Sequence, residues 1–333
     1  LFTRSGRARF TYSAIVIPSE VEESLAVSVE QERKMKRIGL GATTLLLLFP
    51  LFAQAKLKVV ATFPDLGSLA REIGKDKIDI VVLGKANDDP HFVEARPNFV
   101  PSLRDADLLI DHGADLELGW LSPLLQRASN SKIDLGKPGR VQASEGIALM
   151  NSPSIKSGAG DQHARGNPHF TIDPLIAKTI AQHIAKSLAA VDSSNAAFYD
   201  ANYKKFEAVI LAKLQGWRAI LQSFQDQQLA AYHDSWPYFA HRFGVKINVY
   251  LEPTPGVPPT PSHLTDVIQK MKENHIKAIL VEPYQDRRIA EKIARSANAT
   301  VVDVSEFPGG IPGADNYVNL INQLVKRVAD AVK

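Results

Sequence analysis

Two of the nine histidines sit in matching triplets: Pro90-His91-Phe92 in "NDDPHFVEARP" and Pro168-His169-Phe170 in "GNPHFTIDP". A proline fixes the local backbone, so the ring that follows it has little room to wander. A third histidine, His233 in "AYHDSWPYF", ends an apolar run and opens onto an aromatic-rich turn. Neutral imidazole is the commonest protein ligand for transition metals, and a ligand ring has to be held in place. Three held rings would leave one corner of a tetrahedral site for a carboxylate. Spacing alone leaves two other readings open: histidines that cap loops, and buried histidines with satisfied nitrogens. The chain has no cysteine, which excludes disulfides, thiolate metal sites and a cysteine nucleophile.

The elements that position these rings follow from hydrophobic periodicity. "LKVVATF" (57–63), "IDIVVLG" (78–84), "DLLIDHG" (107–113) and "GRVQAS" (139–144) read as strands, with helical patterns between them. Residues 151–168 are small and polar and read as a loop; 173–192 follows as a helix with Asp173 as cap and Pro174 in its first turn. Residues 193–228 contain no proline, and Phe198, Tyr203, Phe206, Val209, Ile210, Leu214 and Trp217 recur every three to four positions. That predicts one long helix of about ten turns, roughly 50 Å. The alternation then resumes with strands at 229–233, 245–251, 277–282 and 299–304. The expected fold class is α/β: two lobes, each a parallel sheet with flanking helices, joined by one long α-helix. The expected boundaries are 56–192 for the first lobe, 193–228 for the linker helix and 229–333 for the second lobe. In such sheets ligands bind outside the carboxyl ends of the strands, where His91, His112, His169 and His233 fall.

Composition is that of an ordinary globular protein, with 45% hydrophobic and 23% charged residues. The net charge is +3, and setting aside the first 55 residues leaves 32 basic against 31 acidic side chains. There is no basic stripe with interleaved aromatics, which argues against nucleic acid as a partner. Met35-Lys36-Arg37, the apolar run 38–52 and Ala53-Gln54-Ala55 together read as a secretory signal peptide over 35–55, with maturation before Lys56. The run is shorter than the roughly 20 residues a spanning helix needs. Residues 1–34 read as an upstream extension, consistent with translation starting at Met35. A mature chain beginning at Lys56 has no cysteine for acylation, so no lipid anchor is expected, and the periplasm is the expected compartment.

Taken together, these motifs resemble the metal-binding receptors of bacterial zinc/manganese ABC importers, the cluster A-I solute-binding proteins. "DDPHFVEARP", "GADLELGWLSPLL", "NPHFTIDP", "YHDSWPYFAHRFG", "VEPYQDRRIAEKIA" and "GADNYVNLINQLV" carry the resemblance, which runs along 57–333. It implies His91, His169 and His233 as nitrogen ligands, a monomeric receptor, and a membrane permease as partner. The family places an Asp after the last strand. Here "VVDVSEFPGG" offers Glu306 as the fourth ligand, with Asp303, Glu282 or water as rivals. Three nitrogens and one carboxylate suit Zn²⁺, whereas Mn²⁺ takes more oxygen ligands.

Other residues carry lesser expectations. His112 is a candidate support for the ligands; Glu94 and Asp234 could orient rings or face solvent and cap a helix. His163 and Asp161 belong to a loop that could capture metal. His263 follows Ser262, the expected cap of a helix. Trp236, Tyr238 and Phe239 read as core packing, and the five prolines of 253–262 as a stiff connector. Two rival functional classes remain: a secreted zinc-dependent hydrolase, for which no HExxH motif is present, and an adhesin.

Overall fold

The computed structural model describes residues 55–150, 165–225 and 227–332, and Glu30 upstream. The signal-peptide reading of 35–55 and the loop bearing Asp161 and His163 lie outside these residues, Ala55 apart. No described helix is long and apolar enough to cross a membrane.

Residues 55–332 contain two four-stranded parallel sheets. The first is built from β1 (Leu57–Ala61), β2 (Ile78–Val82), β3 (Leu108–Asp111) and β4 (Arg140–Gln142), in the order β2-β1-β3-β4. The second uses β5 (Gln228–Ala231), β6 (Lys246–Tyr250), β7 (Ala278–Val281) and β8 (Thr300–Asp303), in the order β6-β5-β7-β8. The two orders are the same pattern repeated. The chain reverses direction across the sheet between β1 and β3, and again between β5 and β7, which opens a crevice at the carboxyl ends there. The inner strands β3 ("LLID") and β7 ("AILV") are buried at every position, whereas the edge strands β2 and β8 alternate or are half-exposed.

Nine helices among the described residues cover the sheets: α1 (Pro64–Gly74), α2 (Val100–Asp105), α3 (Leu118–Ala128), α4 (Pro174–Val191), α5 (Ala196–Gln222), α6 (Pro237–Phe243), α7 (Pro261–Glu273), α8 (Arg287–Ala297) and α9 (Tyr317–Ala331). Asp173 caps α4, accepting from Leu175 N–H at 2.8 Å, with Pro174 at the first helical position. Thr260 caps α7, its Oγ1 accepting from His263 N–H at 3.3 Å. This corrects the expectation for Ser262: Pro261 already takes the first helical position, so the residue before it is the cap. The long helix α5 has 27 residues, about 40 Å, which is shorter than its apolar pattern suggested. Residues 193–195 form a 3-10 turn before it, and Gln228 is already in β5. Its buried face is Tyr199, Tyr203, Phe206, Ile210, Leu214, Trp217 and Leu221, while Val209 is exposed.

One core spans both lobes: α4 packs on the first sheet, α9 on the second, and α5 on both of these helices, in a single buried cluster with residues of both sheets. α9 fastens the two halves further. Tyr317 donates its N–H to Ser68 Oγ (2.9 Å) and its hydroxyl to Thr171 O (2.7 Å), and Trp217 Nε1–H donates to Asn322 Oδ1 (2.8 Å). Two smaller cores lie on the outer faces, one per sheet.

Candidate metal centre

All eight strands deliver a polar side chain beyond their carboxyl ends. Asp65 follows β1, Asp89 and His91 follow β2, His112 follows β3, and His169 ends the connection from β4. His233, Glu252, Glu282 and Glu306 follow β5, β6, β7 and β8 within three residues each. Strand ends can present such groups because their backbone polar atoms are already paired within the sheet.

His91, His169 and His233 come together between the lobes. One nitrogen from each lies within 4.8 Å of the others. Their ring centroids are 5.2 Å apart in all three pairings, and His169 Nε2 is 3.3 Å from His233 Nε2. Each Nδ1 faces a carboxylate: His91 meets Asp89 Oδ1 at 3.0 Å, His169 meets Glu306 Oε2 at 2.7 Å, and His233 meets Glu252 Oε2 at 2.7 Å. A carboxylate at Nδ1 assigns the ring proton to that atom and leaves Nε2 as the ligating nitrogen.

The backbone around each ring is fixed as well. His91 N–H donates to Asp89 Oδ1 (3.0 Å), and Trp120 Nε1–H donates to Pro90 O (3.3 Å), tying the loop to α3. His169 N–H donates to Asn167 Oδ1 (3.0 Å). Asn167 in turn donates to Asp234 O (2.7 Å) and accepts the Tyr238 hydroxyl on its carbonyl (2.7 Å), so the second ligand loop is bonded to the third. Gly256 N–H donates to Glu252 Oε2 at 3.0 Å, holding the carboxylate that faces His233.

Electrostatics differ from ring to ring. Burial pushes His169 well below its ordinary value, and the neighbouring His233 and His91 add to this. Burial would also depress His233, but the hydrogen bond and charge of Glu252, then Glu282 and Glu306, outweigh it and lift it to about 9. Glu306 is pushed up to about 7 by burial, against the pull of His233 and His91. Glu282, wholly buried, is pushed up to about 8 by burial and by the charge of Glu306. Without metal the centre therefore holds protons that a cation would displace.

Glu306 is buried at the cluster, but its Oε2 lies on the far nitrogen of His169, and the group of converging ligand atoms does not include it. In this arrangement it orients a ring. Asp303 lies on the surface, half-exposed and paired with Arg287. Glu94 is in solvent with Arg96 at 3.8 Å. Trp236, Tyr238 and Phe239 are buried in the core. His112 is wholly buried, its Nε2 2.8 Å from Asp65 Oδ2 and its Nδ1 3.2 Å from Glu117 Oε1. Burial would lower it, but Asp65 and then Glu117 hold it well above its ordinary value. Sequence reasoning missed Glu252 and left Asp89 without a role. Glu252 was open to discovery, since "VYLEP" puts it just past a strand end, where the histidines also lie.

The family described as "Zinc-uptake complex component A periplasmic", ZnuA, matches residues 59–331. The chain belongs to this family. The "High-affinity zinc uptake system protein ZnuA" of Yersinia pestis is 27% identical over 316 residues, covering 91% of this chain and 99% of the relative. The "Manganese ABC transporter substrate-binding lipoprotein PsaA" of Streptococcus mitis is 24% identical, covering 83% and 89% respectively. Among solved structures, one described as "Crystal structure of ZnuA" superposes with a TM-score of 0.73 at 25% identity, covering 84% of this chain and all of that one. The resemblance drawn from the loop motifs and the fold class drawn from periodicity both hold for this ZnuA-family chain.

Proposed function

We propose that this chain is an exported receptor that captures zinc between its lobes and hands it to the membrane permease of an ABC importer in the periplasm. The ligands are His91, His169 and His233 through Nε2. The observation that carries the reading is the convergence of three imidazoles whose Nδ1 atoms all face carboxylates. Two nitrogens on one tetrahedral zinc, each at about 2.0–2.1 Å, stand about 3.3 Å apart, which is the separation of the His169 and His233 Nε2 atoms. Glu306 serves the ion through His169, and the fourth position opens on a cavity of about 150 Å³ lined by Asp89, His91, His233, Glu252 and Tyr284. The chain acts as a receptor, not an enzyme, in keeping with its family.

Manganese is the second reading, favoured by the manganese-named relative. An all-nitrogen set speaks for zinc over manganese, which prefers oxygen. Calorimetric titration of the purified protein with each ion decides between them, repeated for His169→Ala. Zinc should bind more tightly than manganese in the parent and weakly in the variant. No zinc binding, or equal binding by the variant, would end this reading.

A further inference from the structure

Phe307 belongs to the second lobe by sequence, four residues past the end of β8, yet its side chain is part of the first lobe's outer core. There it is buried among Val60, Phe63, Leu103 and Trp120. Its ring lies flat on Phe63, with centroids 4.8 Å apart and planes 12° from parallel. Phe63 meets Trp120 edge-on at 5.9 Å, and Trp120 holds the carbonyl of Pro90, the residue before His91. On its other side Phe307 follows Glu306, whose carboxylate sits on His169. The turn between them is tight: Phe307 N–H donates to Ser305 Oγ at 3.0 Å, and a Cβ on Gly310 would lie 2.1 Å from that same oxygen.

We propose that Phe307 is an interlobe clasp, a positioning residue that seats Glu306 on His169 and, through Phe63 and Trp120, ties that carboxylate to the His91 loop. It contacts no ligand atom of the metal and acts through Glu306. The role rests on the reading of the three histidines as metal ligands. The flat stack matters because an aromatic pair in this geometry has a preferred orientation as well as a buried area. A residue that only filled space would fix neither the angle at which residues 305–310 leave β8 nor the place of Glu306.

The test compares Phe307→Ala with Leu103→Ala, a wholly buried aliphatic neighbour in the same core that takes no part in the stack. Two readouts are taken: zinc affinity with its release rate, and the ¹⁵N and Nδ1-proton NMR signals of His169 in the metal-free protein. Phe307→Ala should weaken zinc about tenfold, the lower end for loss of a residue behind a ligand, mainly by faster release. It should also lose the hydrogen-bonded Nδ1 signal. Leu103→Ala should lose stability but stay within about twofold of the parent in affinity, with the His169 signal intact. Phe307→Leu keeps an apolar plug without the flat face and is read in the same way if alanine does not fold, with about a threefold loss expected. Parent-like zinc release and His169 signals in a folded Phe307 variant overturn the clasp, as does an equal loss in Leu103→Ala. If the parent binds no zinc, the metal-centre reading falls, and the metal-free His169 signal still decides the clasp.

Discussion

Two buried histidines of this protein have nearly the same exposure and opposite electrostatics. His112, inside the first lobe at the end of β3, has a carboxylate at each nitrogen and is held well above its ordinary value. His169, between the lobes, has Glu306 at Nδ1, turns Nε2 toward His233, and is held well below. Burial is the largest influence on both and pushes both down; the neighbour of the second nitrogen decides the outcome. Two acidic partners make a closed ion pair with no ligating atom left over. One acidic partner and a second imidazole set that nitrogen among other imidazoles, the arrangement the proposed zinc site uses.

The sharpest way to break this contrast is to remove each ring. His169→Ala should weaken zinc at least a hundredfold and, because it leaves Glu306 Oε2 buried without its 2.7 Å partner, cost about 1–3 kcal/mol of stability. His112→Ala strands Asp65 as a buried carboxylate without its cationic partner, leaves Glu117 with only the neutral donors Thr62 Oγ1 and the backbone N–H groups of residues 112 and 113, and should cost about 3–5 kcal/mol of stability. Its zinc affinity should stay within about tenfold of the parent. Denaturant unfolding of the metal-free variants and zinc calorimetry supply both numbers; a common loss of affinity would erase the distinction.

A smaller effect concerns Glu282, which is buried beside the cluster and raised from 4.5 to about 8. Because its value in the folded protein lies above the unfolded one, the stability it contributes is complete below about pH 4.5 and is lost as pH rises through about 8. Glu282→Gln cannot titrate. The metal-free variant should therefore gain on the parent between about pH 5 and 9, by up to about 5 kcal/mol, as followed by thermal unfolding across that range. A gap that stays constant with pH would mean that Glu282 does not change charge there.

The smallest effect sharpens what a single acidic partner does. Glu252→Gln keeps an acceptor for His233 Nδ1 but removes its charge. Zinc affinity should fall about tenfold, and His233 should titrate below its present value of about 9, as read by NMR. An unchanged affinity would make the Glu252 charge irrelevant to the metal.

Much of the architecture was readable from periodicity, since buried inner strands and amphipathic helices have distinct spacings. The three histidines were readable because proline and strand ends mark places where a side chain can be aimed. Other features depend on tertiary distance. Nothing in "VVDVSEFPGG" tells whether Glu306 reaches a metal or the back of an imidazole, a difference of one ring width. Glu252 stands just ahead of the proline-rich stretch 253–262 that read as a connector, and its partner His233 lies 19 residues away. The apolar spacing along 193–228 continued past the true helix end because Phe224 is also partly buried against the shared core. A half-buried turn and a further helical turn look alike in sequence.

The seat of Phe307 also bears on the order in which the molecule can be completed. Chains are made from the amino end, and a domain commonly folds as soon as its residues are available. Here the outer core that begins at Val60 includes a ring some 250 positions later. Until that ring arrives, the face of Phe63 has no partner in the stack it later joins. A fragment stopping at the long helix should therefore expose an apolar patch and need a chaperone or the remainder of the chain to stay soluble.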